Sequence, residues 1–263
     1  MDKSTEIVAQ PFFKLLLDIF HPITKAGASG IPEDEEKYKE WRRTNRSRLN
    51  QGELYVTDVF NNASNLIKVF DRIRYSQYLI NRSPKGFLTK DNSNGRRDWT
   101  DYHFFVYTTS MASILDCMLM LSAEVYELGL SPRFCTFEII TQHKWIAGSD
   151  LVKSLRQLRK TLDPHISRRH RFLHRGEESG FVDLVDEERY IELNSYTFLQ
   201  EHDHPVIHPR ILSLLWKGQL TKIKPLLLTF ETSARKNVVS IFGELFPIFK
   251  YKLSKYKLLN TEK

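Results

Sequence analysis

Apolar residues recur at steps of three and four along most of this chain, the period of a helix that buries one face. The sharpest case is Phe104, Tyr107, Met111, Ile114, Met118, Leu121 and Val125. It predicts a central helix over residues 101–128, opened by Thr100-Asp101 and ended by Gly129. Leu151, Val152, Leu155, Leu158 and Leu162 predict a second helix over 150–162, with Lys153, Arg156, Arg159 and Lys160 largely on its other face. Asp163-Pro164 should end that helix and open a short one, with Asp as N-cap and Pro at the first helical position. The short helix closes at Gly176. Nearer the N-terminus, Ile7, Phe12, Leu15, Leu16 and Phe20 predict a helix over 5–20, which His21-Pro22 should stop. A linker (27–32) and a charged helix from Glu33 follow. A long helix over 53–80 then has Leu54, Val59, Leu66, Ile67, Phe70, Ile73 and Tyr78 as its core face. Residues 83–98 read as a loop with a basic tip, turned by Asn94-Gly95. Residues 134–145 are mixed and apolar, and 184–200 are amphipathic. Residues 211–257 are apolar along one side, in a helix that Pro225 and Pro247 should break or kink. Strand alternation, internal repeats, Gly-x-Gly-x-x-Gly and Gly-x-x-x-x-Gly-Lys are all missing from the sequence. The fold class is therefore all-α, and the missing motifs argue against dinucleotide-binding and P-loop folds.

Charge narrows the class of partner. The 263 residues carry a formal net charge of +7, which favours polyanions such as nucleic acid, against the plainer reading of a lysine-rich surface. Hydrophobic content of 41% is enough to bury a core. The two cysteines, Cys117 and Cys135, belong to no Cys-x-x-Cys pair, so they read as buried thiols in a reducing cytoplasm. The opening Met1-Asp2-Lys3-Ser4-Thr5-Glu6 lacks the basic-then-apolar order of a signal peptide. No apolar run is read as approaching the roughly 20 residues of a membrane span. The expected location is the cytoplasm, with no membrane partner.

The chemistry concentrates in residues 168–176, Arg168-Arg169-His170-Arg171-Phe172-Leu173-His174-Arg175-Gly176. Arg grips phosphate bidentately and keeps its charge, while His exchanges protons near neutral pH. At about 100° per residue, His170 and His174 stack one turn apart on one helix face with Arg169 beside them. Ile166 and Leu173 project between Arg169 and His170, so the polar face is not cleanly separated. The candidate catalytic residues are His174 for acid–base work, Arg169 for phosphate binding, and His170 to orient the scissile group or assist proton transfer. Arg168, Arg171 and Arg175 are candidate substrate-binding residues. Asp116 interrupts the apolar run 114–121. It reads as a buried or grooved carboxylate bonded to a neighbouring helix, or as an acid that orients Arg169 or a catalytic His.

The spacing Arg169-His170-x-x-x-His174 resembles the Arg-(Asn/His/Asp)-x-x-x-His signature of the HEPN superfamily. The resemblance covers about residues 50–200. It implies an up-and-down helical bundle with extra N- and C-terminal helices: an extension over 1–50, a core over 51–200, and a further extension over 201–263 packed on the core. It also implies metal-independent cleavage of RNA with no cofactor, in a homodimer whose paired motif helices form one composite cleft. Relatives are often toxins or antiviral effectors, with an antitoxin or sensor as partner.

Other readings stay open. A HEPN module without catalysis would bind RNA, a nucleotide or a partner protein through the same basic cleft, and a helical adaptor would leave the histidines incidental. A loop with His202, Asp203, His204 and His208 has ligand chemistry, but Pro205 and its spacing favour a solvated segment over a metal site. The tail 250–257 mixes Lys with Tyr, as nucleic-acid surfaces do, though a plain amphipathic helix end accounts for it as well. His21, His103, His143 and His165 read as structural.

Overall fold

The computed structural model describes residues 7–27, 34–80, 82, 95–175, 192–193, 195–197, 199–200, 204 and 206–259. Every labelled element among them is helical: α1 (Pro11–Gly27), α2 (Glu35–Arg48), α3 (Gln51–Ile80), α4 (Gly95–Val125), a 3-10 turn (Pro132–Phe134), α5 (Phe137–Gln142), α6 (Asp150–Arg175) and α7 (Pro209–Lys255). The periodicity that predicted them records real burial. All seven apolar positions on α4 are at 0% exposure. On α6, Leu151, Val152, Leu155, Leu158 and Leu162 are buried, while Lys153, Arg156, Arg159 and Lys160 are exposed. On α3 the face is less complete, for Leu54 and Ile67 are half-buried and Tyr78 is exposed. The expected linker after residue 27, the loop over 83–94 and most of the segment 184–200 lie outside the described residues.

The expected breaks at proline are corrected. α1 runs through Pro22, α6 through Pro164, and α7 from Pro209 to Lys255 through Pro225 and Pro247. An internal proline loses one backbone bond and costs about 3 kcal/mol. Buried residues on both sides outweigh that at three of the four: Leu162 and His165 around Pro164, Ile223 and Leu227 around Pro225, Leu245 and Phe249 around Pro247.

Two helix starts also move. α3 begins two residues early because Asn50 and Glu53 cap each other, the Glu53 amide donating to Asn50 Oδ1 at 3.0 Å and the Asn50 amide to Glu53 Oε2 at 2.9 Å. α4 begins at Gly95, so residues 95–98 of the expected loop are helical. At its far end the left-handed residue is Glu127 (φ 53°), with the Leu128 amide donating to Ala123 O at 2.9 Å; Gly129 (φ 65°) follows two residues on.

Trp99–Val125 has the length and mean hydropathy (1.5) of a membrane span, which the sequence reading denied; yet 67% of that window is buried within the protein. Its apolar character serves a core. Cys117 is buried, but Cys135 is only half-buried, and no disulfide joins them.

The chain divides into two compact units. The first comprises Met1–Lys68, Leu115–Leu158 and Lys236–Lys263. Its core is aromatic: Phe12 lies 5.2 Å from Phe242 and 4.9 Å from Phe249, and Phe13 meets Phe242 edge-on at 5.1 Å. The Tyr55 hydroxyl donates to Val125 O at 3.1 Å. The C-terminal turn packs so closely on Gly52 that a Cβ there would come within 2.8 Å of Tyr256 Cβ. Glu127 accepts from both Lys252 and Tyr256. Two members of the basic-aromatic tail thus serve the fold. The second unit, Val69–Ile114 and Arg159–Arg235, carries the motif.

Candidate functional site

In the second unit α4 and α6 lie side by side and antiparallel. Three contacts fix their register. Tyr107 meets the His165 ring edge-on at 5.6 Å, the Arg168 guanidinium lies 5.8 Å from the Phe104 ring, and Phe105 packs on Phe172 at 4.2 Å. His165 is wholly buried, with Phe230 of α7 against it at 5.0 Å. Neither of its ring nitrogens has a hydrogen-bond partner among the described residues. Burial, then the nearby Arg168 charge, lower its pKa to about 3, so it is a neutral core residue. The Tyr107 hydroxyl donates to Leu227 O at 3.0 Å, as does Gln77 Nε2 at 3.3 Å, tying α3, α4 and α7 together. Glu231 and Arg235 form a buried ion pair at 2.6 Å, with the guanidinium over Phe70.

This core holds one side of α6 and leaves the motif on the other. His170 and His174 are both exposed, and their ring centroids are 4.5 Å apart. The one-turn stacking expected from helix geometry is therefore realised in the last turn of α6. Arg169 and Arg171 are half-buried on either side of His170. Leu173, expected to interrupt the polar face, does so at 60% exposure, and Ile166 is half-buried. The Arg175 side chain and Gly176 lie outside the described residues.

Arg168 departs from expectation. At 7% exposure beneath Phe104, it is a core residue and not an exposed phosphate ligand. A signal for this was present: 158, 162, 165, 168 and 172 continue the apolar stripe of the helix at steps of three and four. The same stripe marks Phe172, which with Phe105 anchors the motif turn. Asp116 is exposed, which corrects its reading as a buried carboxylate. It also falls in the first unit.

Of the histidine-rich loop, only part is described. His202 and Asp203 lie outside the described residues, and His204 and His208 are exposed. His208 instead caps α7, its Nδ1 accepting from the Arg210 amide at 3.2 Å. Among the described residues no group of three or more His, Cys, Asp or Glu is placed to hold a metal ion.

The antiparallel helices carrying this turn fall within a match to a family model. Residues 54–209, more than half of the chain, match the HEPN_Cthe2314-like HEPN family. No curated protein and no solved structure matches the chain. The match contains the whole of the stretch 168–175, and the helical architecture agrees with it: the chain belongs to the HEPN superfamily.

Proposed function

We propose that the chain is a metal-independent endoribonuclease of HEPN type, acting as a homodimer. The observation that supports this most is the pair of exposed imidazoles, His170 and His174, at 4.5 Å beside Arg169. The chemistry uses the substrate's own nucleophile. A base removes the 2′-hydroxyl proton and O2′ attacks the adjacent phosphorus. The bond from phosphorus to O5′ then breaks, and an acid protonates O5′. The products are a 2′,3′-cyclic phosphate and a 5′-hydroxyl. Arg169 grips the phosphate and stabilises its developing charge, with Arg171 and Arg175 as further binding groups. His174 supplies acid–base exchange and His170 orients the phosphate or shares the proton work. One motif offers few groups, and a second copy across a two-fold axis supplies acid and base together. Toxin or antiviral effector is the biological role such an activity fits, with an antitoxin or sensor holding it in check.

The test is purified protein with total RNA and EDTA, followed by end-group analysis. Cleavage should persist and leave 2′,3′-cyclic phosphates. His174→Ala and Arg169→Ala should each lower the rate by roughly a hundred- to ten-thousand-fold, at unchanged melting temperature because both lie outside the core. Full activity in either variant would sink the assignment, and metal-dependent cutting with 5′-phosphate products would sink the mechanism. Binding without cleavage would favour a non-catalytic module. Mixing wild-type chain with excess Arg169→Ala chain, under exchange, should depress activity per wild-type chain; a fully active monomer by light scattering removes the shared site.

A further inference from the structure

The first half of α7 carries two apolar faces, and only one of them is covered. Leu212, Trp216, Leu220, Ile223 and Leu227 are buried in the second unit, and the Trp216 indole N–H donates to Thr197 Oγ1 at 3.1 Å. The other face is open. Ile211 is 51% exposed, Leu214 66% and Leu228 41%, and Gly218, Thr221 and Pro225 between them are exposed as well. Nothing lies within 4 Å of the point where a Cβ on Gly218 would stand. The stretch lies just beyond the residues that match the HEPN family, 54–209.

These six positions share a period. Ile211, Gly218 and Pro225 are seven apart, as are Leu214, Thr221 and Leu228, and each of the second set follows one of the first by three. That is the a and d spacing of a heptad, which keeps one seam of a helix turned toward a second helix. At ~100° per residue all six fall within an arc of about 100°. The charges keep the same count. Arg210, Lys217 and Lys224 each precede an a position by one, the g edge of the seam, and all three are exposed. Lys222, also exposed, stands at an e position on the opposite edge. The sequence has no Asp or Glu between Asp203 and Glu231.

This pattern selects the occupant. A second copy of the same seam is repelled in either direction. Run parallel, Lys217 of one copy would face Lys222 of the other; run antiparallel, Lys217 would face its own counterpart and Arg210 would face Lys224. A lipid surface is better met by a broad apolar face that carries aromatic rings. Here Trp216 is buried on the other face, and Gly218 and Thr221 interrupt the seam. The notch at Gly218 offers nothing to lipid, but it lets another backbone come close.

We propose that the open face of α7, from Arg210 to Leu228, is a docking seam for an amphipathic helix of another protein whose flanking positions are acidic. The partner's apolar side chains pack between Ile211, Leu214 and Leu228, one of them over Gly218, and its carboxylates pair with Arg210, Lys217 and Lys224. The seam is independent of the ribonuclease reading, since none of its residues belongs to the stretch 168–175.

The experiment uses the full chain and two labelled synthetic peptides three heptads long, with Leu at a and d and either Glu or Lys at e and g. Fluorescence anisotropy reads binding, and circular dichroism reads the helix that the peptide gains on docking. The Glu peptide should bind and the Lys peptide should not. Leu214→Ser should raise the Glu-peptide Kd about tenfold or more, the order of one buried leucine. Lys217→Glu with Lys224→Glu should raise it about tenfold, as two attractions become repulsions, and should admit the Lys peptide. Lys236→Glu with Lys250→Glu, at exposed lysines in the other unit, should change neither. Thermal melts check folding, and Ile211→Ser stands in where Leu214→Ser melts early. No binding of the Glu peptide, or undiminished binding in the serine variant, overturns the proposal. A dimer by light scattering that the serine variant dissolves gives the seam to a second copy and also overturns it. So does sedimentation with phosphatidylserine vesicles that the serine variant abolishes, which gives the seam to a lipid surface.

Discussion

Of the eleven buried polar or charged residues among those described, ten fall in the unit formed by Val69–Ile114 and Arg159–Arg235: Ser76, Thr100, His103, Thr108, Ser110, His165, Arg168, Gln219, Glu231 and Arg235. The other unit buries Ser122 alone, and that hydroxyl donates to Met118 O one turn back at 2.7 Å. One unit is closed by phenylalanine rings, which stabilise in proportion to the area they hide. The unit that carries the motif adds more buried polar groups to its apolar core, among them a phenol on a carbonyl and a guanidinium on a carboxylate. Such contacts add less stability than apolar ones but fix orientation. The contrast separates what holds the chain together from what aims the end of α6.

The largest effect expected is on the apolar side. Phe12, at 1% exposure and in contact with three other rings, should cost about 3–5 kcal/mol on replacement by Ala. Chemical denaturation measures it. A loss below about 1 kcal/mol would deny that this ring cluster is the anchor.

The polar side should be nearly as sensitive to breaking one partner, yet tolerant of replacing both. Arg235→Met leaves the Glu231 carboxylate buried beside a neutral side chain and should cost about 3 kcal/mol. The double variant Arg235→Met with Glu231→Leu should recover most of that, and a double variant worse than the single would show that the pair itself is needed.

A smaller effect separates the units by pH. His165 has its pKa lowered to about 3 against an ordinary 6.5, first by burial and then by Arg168. The unfolded chain therefore binds the proton more readily than the folded one. This stability is fully present above pH 6.5 and drains as pH falls toward about 3. Between about pH 7 and about pH 5 the loss should be about 2 kcal/mol, and His165→Leu should flatten that part of the profile. An unchanged slope in the variant would assign the acid sensitivity to other groups.

The smallest effect concerns Glu127. Burial alone would raise its pKa, but the bonds from Lys252 and Tyr256 outweigh that and hold it below the ordinary value. With the pair partly open to solvent, Glu127→Gln should cost about 1 kcal/mol or less. A larger loss, read by the same denaturation, would make this corner a second anchor of the apolar unit.

Much of this was legible in the sequence because burial on one side of a helix leaves a periodic trace. The α4 and α6 core positions and the His170/His174 stack follow from the angle per residue alone. What was not legible depends on partners distant in sequence. No local rule weighs a proline against the packing on either side of it, so Pro22, Pro164, Pro225 and Pro247 were read as breaks. Four arginines within eight residues look equivalent until Phe104 covers Arg168.

Pro164 has a mechanical consequence. Lacking an N–H, it removes one rung from the hydrogen-bonded ladder of α6 between the leucine-rich first half and the eleven residues that end at Arg175. A helix bends where a rung is missing, so this is the point of least stiffness along the rod. His165, Arg168 and Phe172 lie past that point and hold the helix against α4, so packing takes over the stiffness that the missing rung gives up, and the two imidazoles sit on the far side of those same contacts.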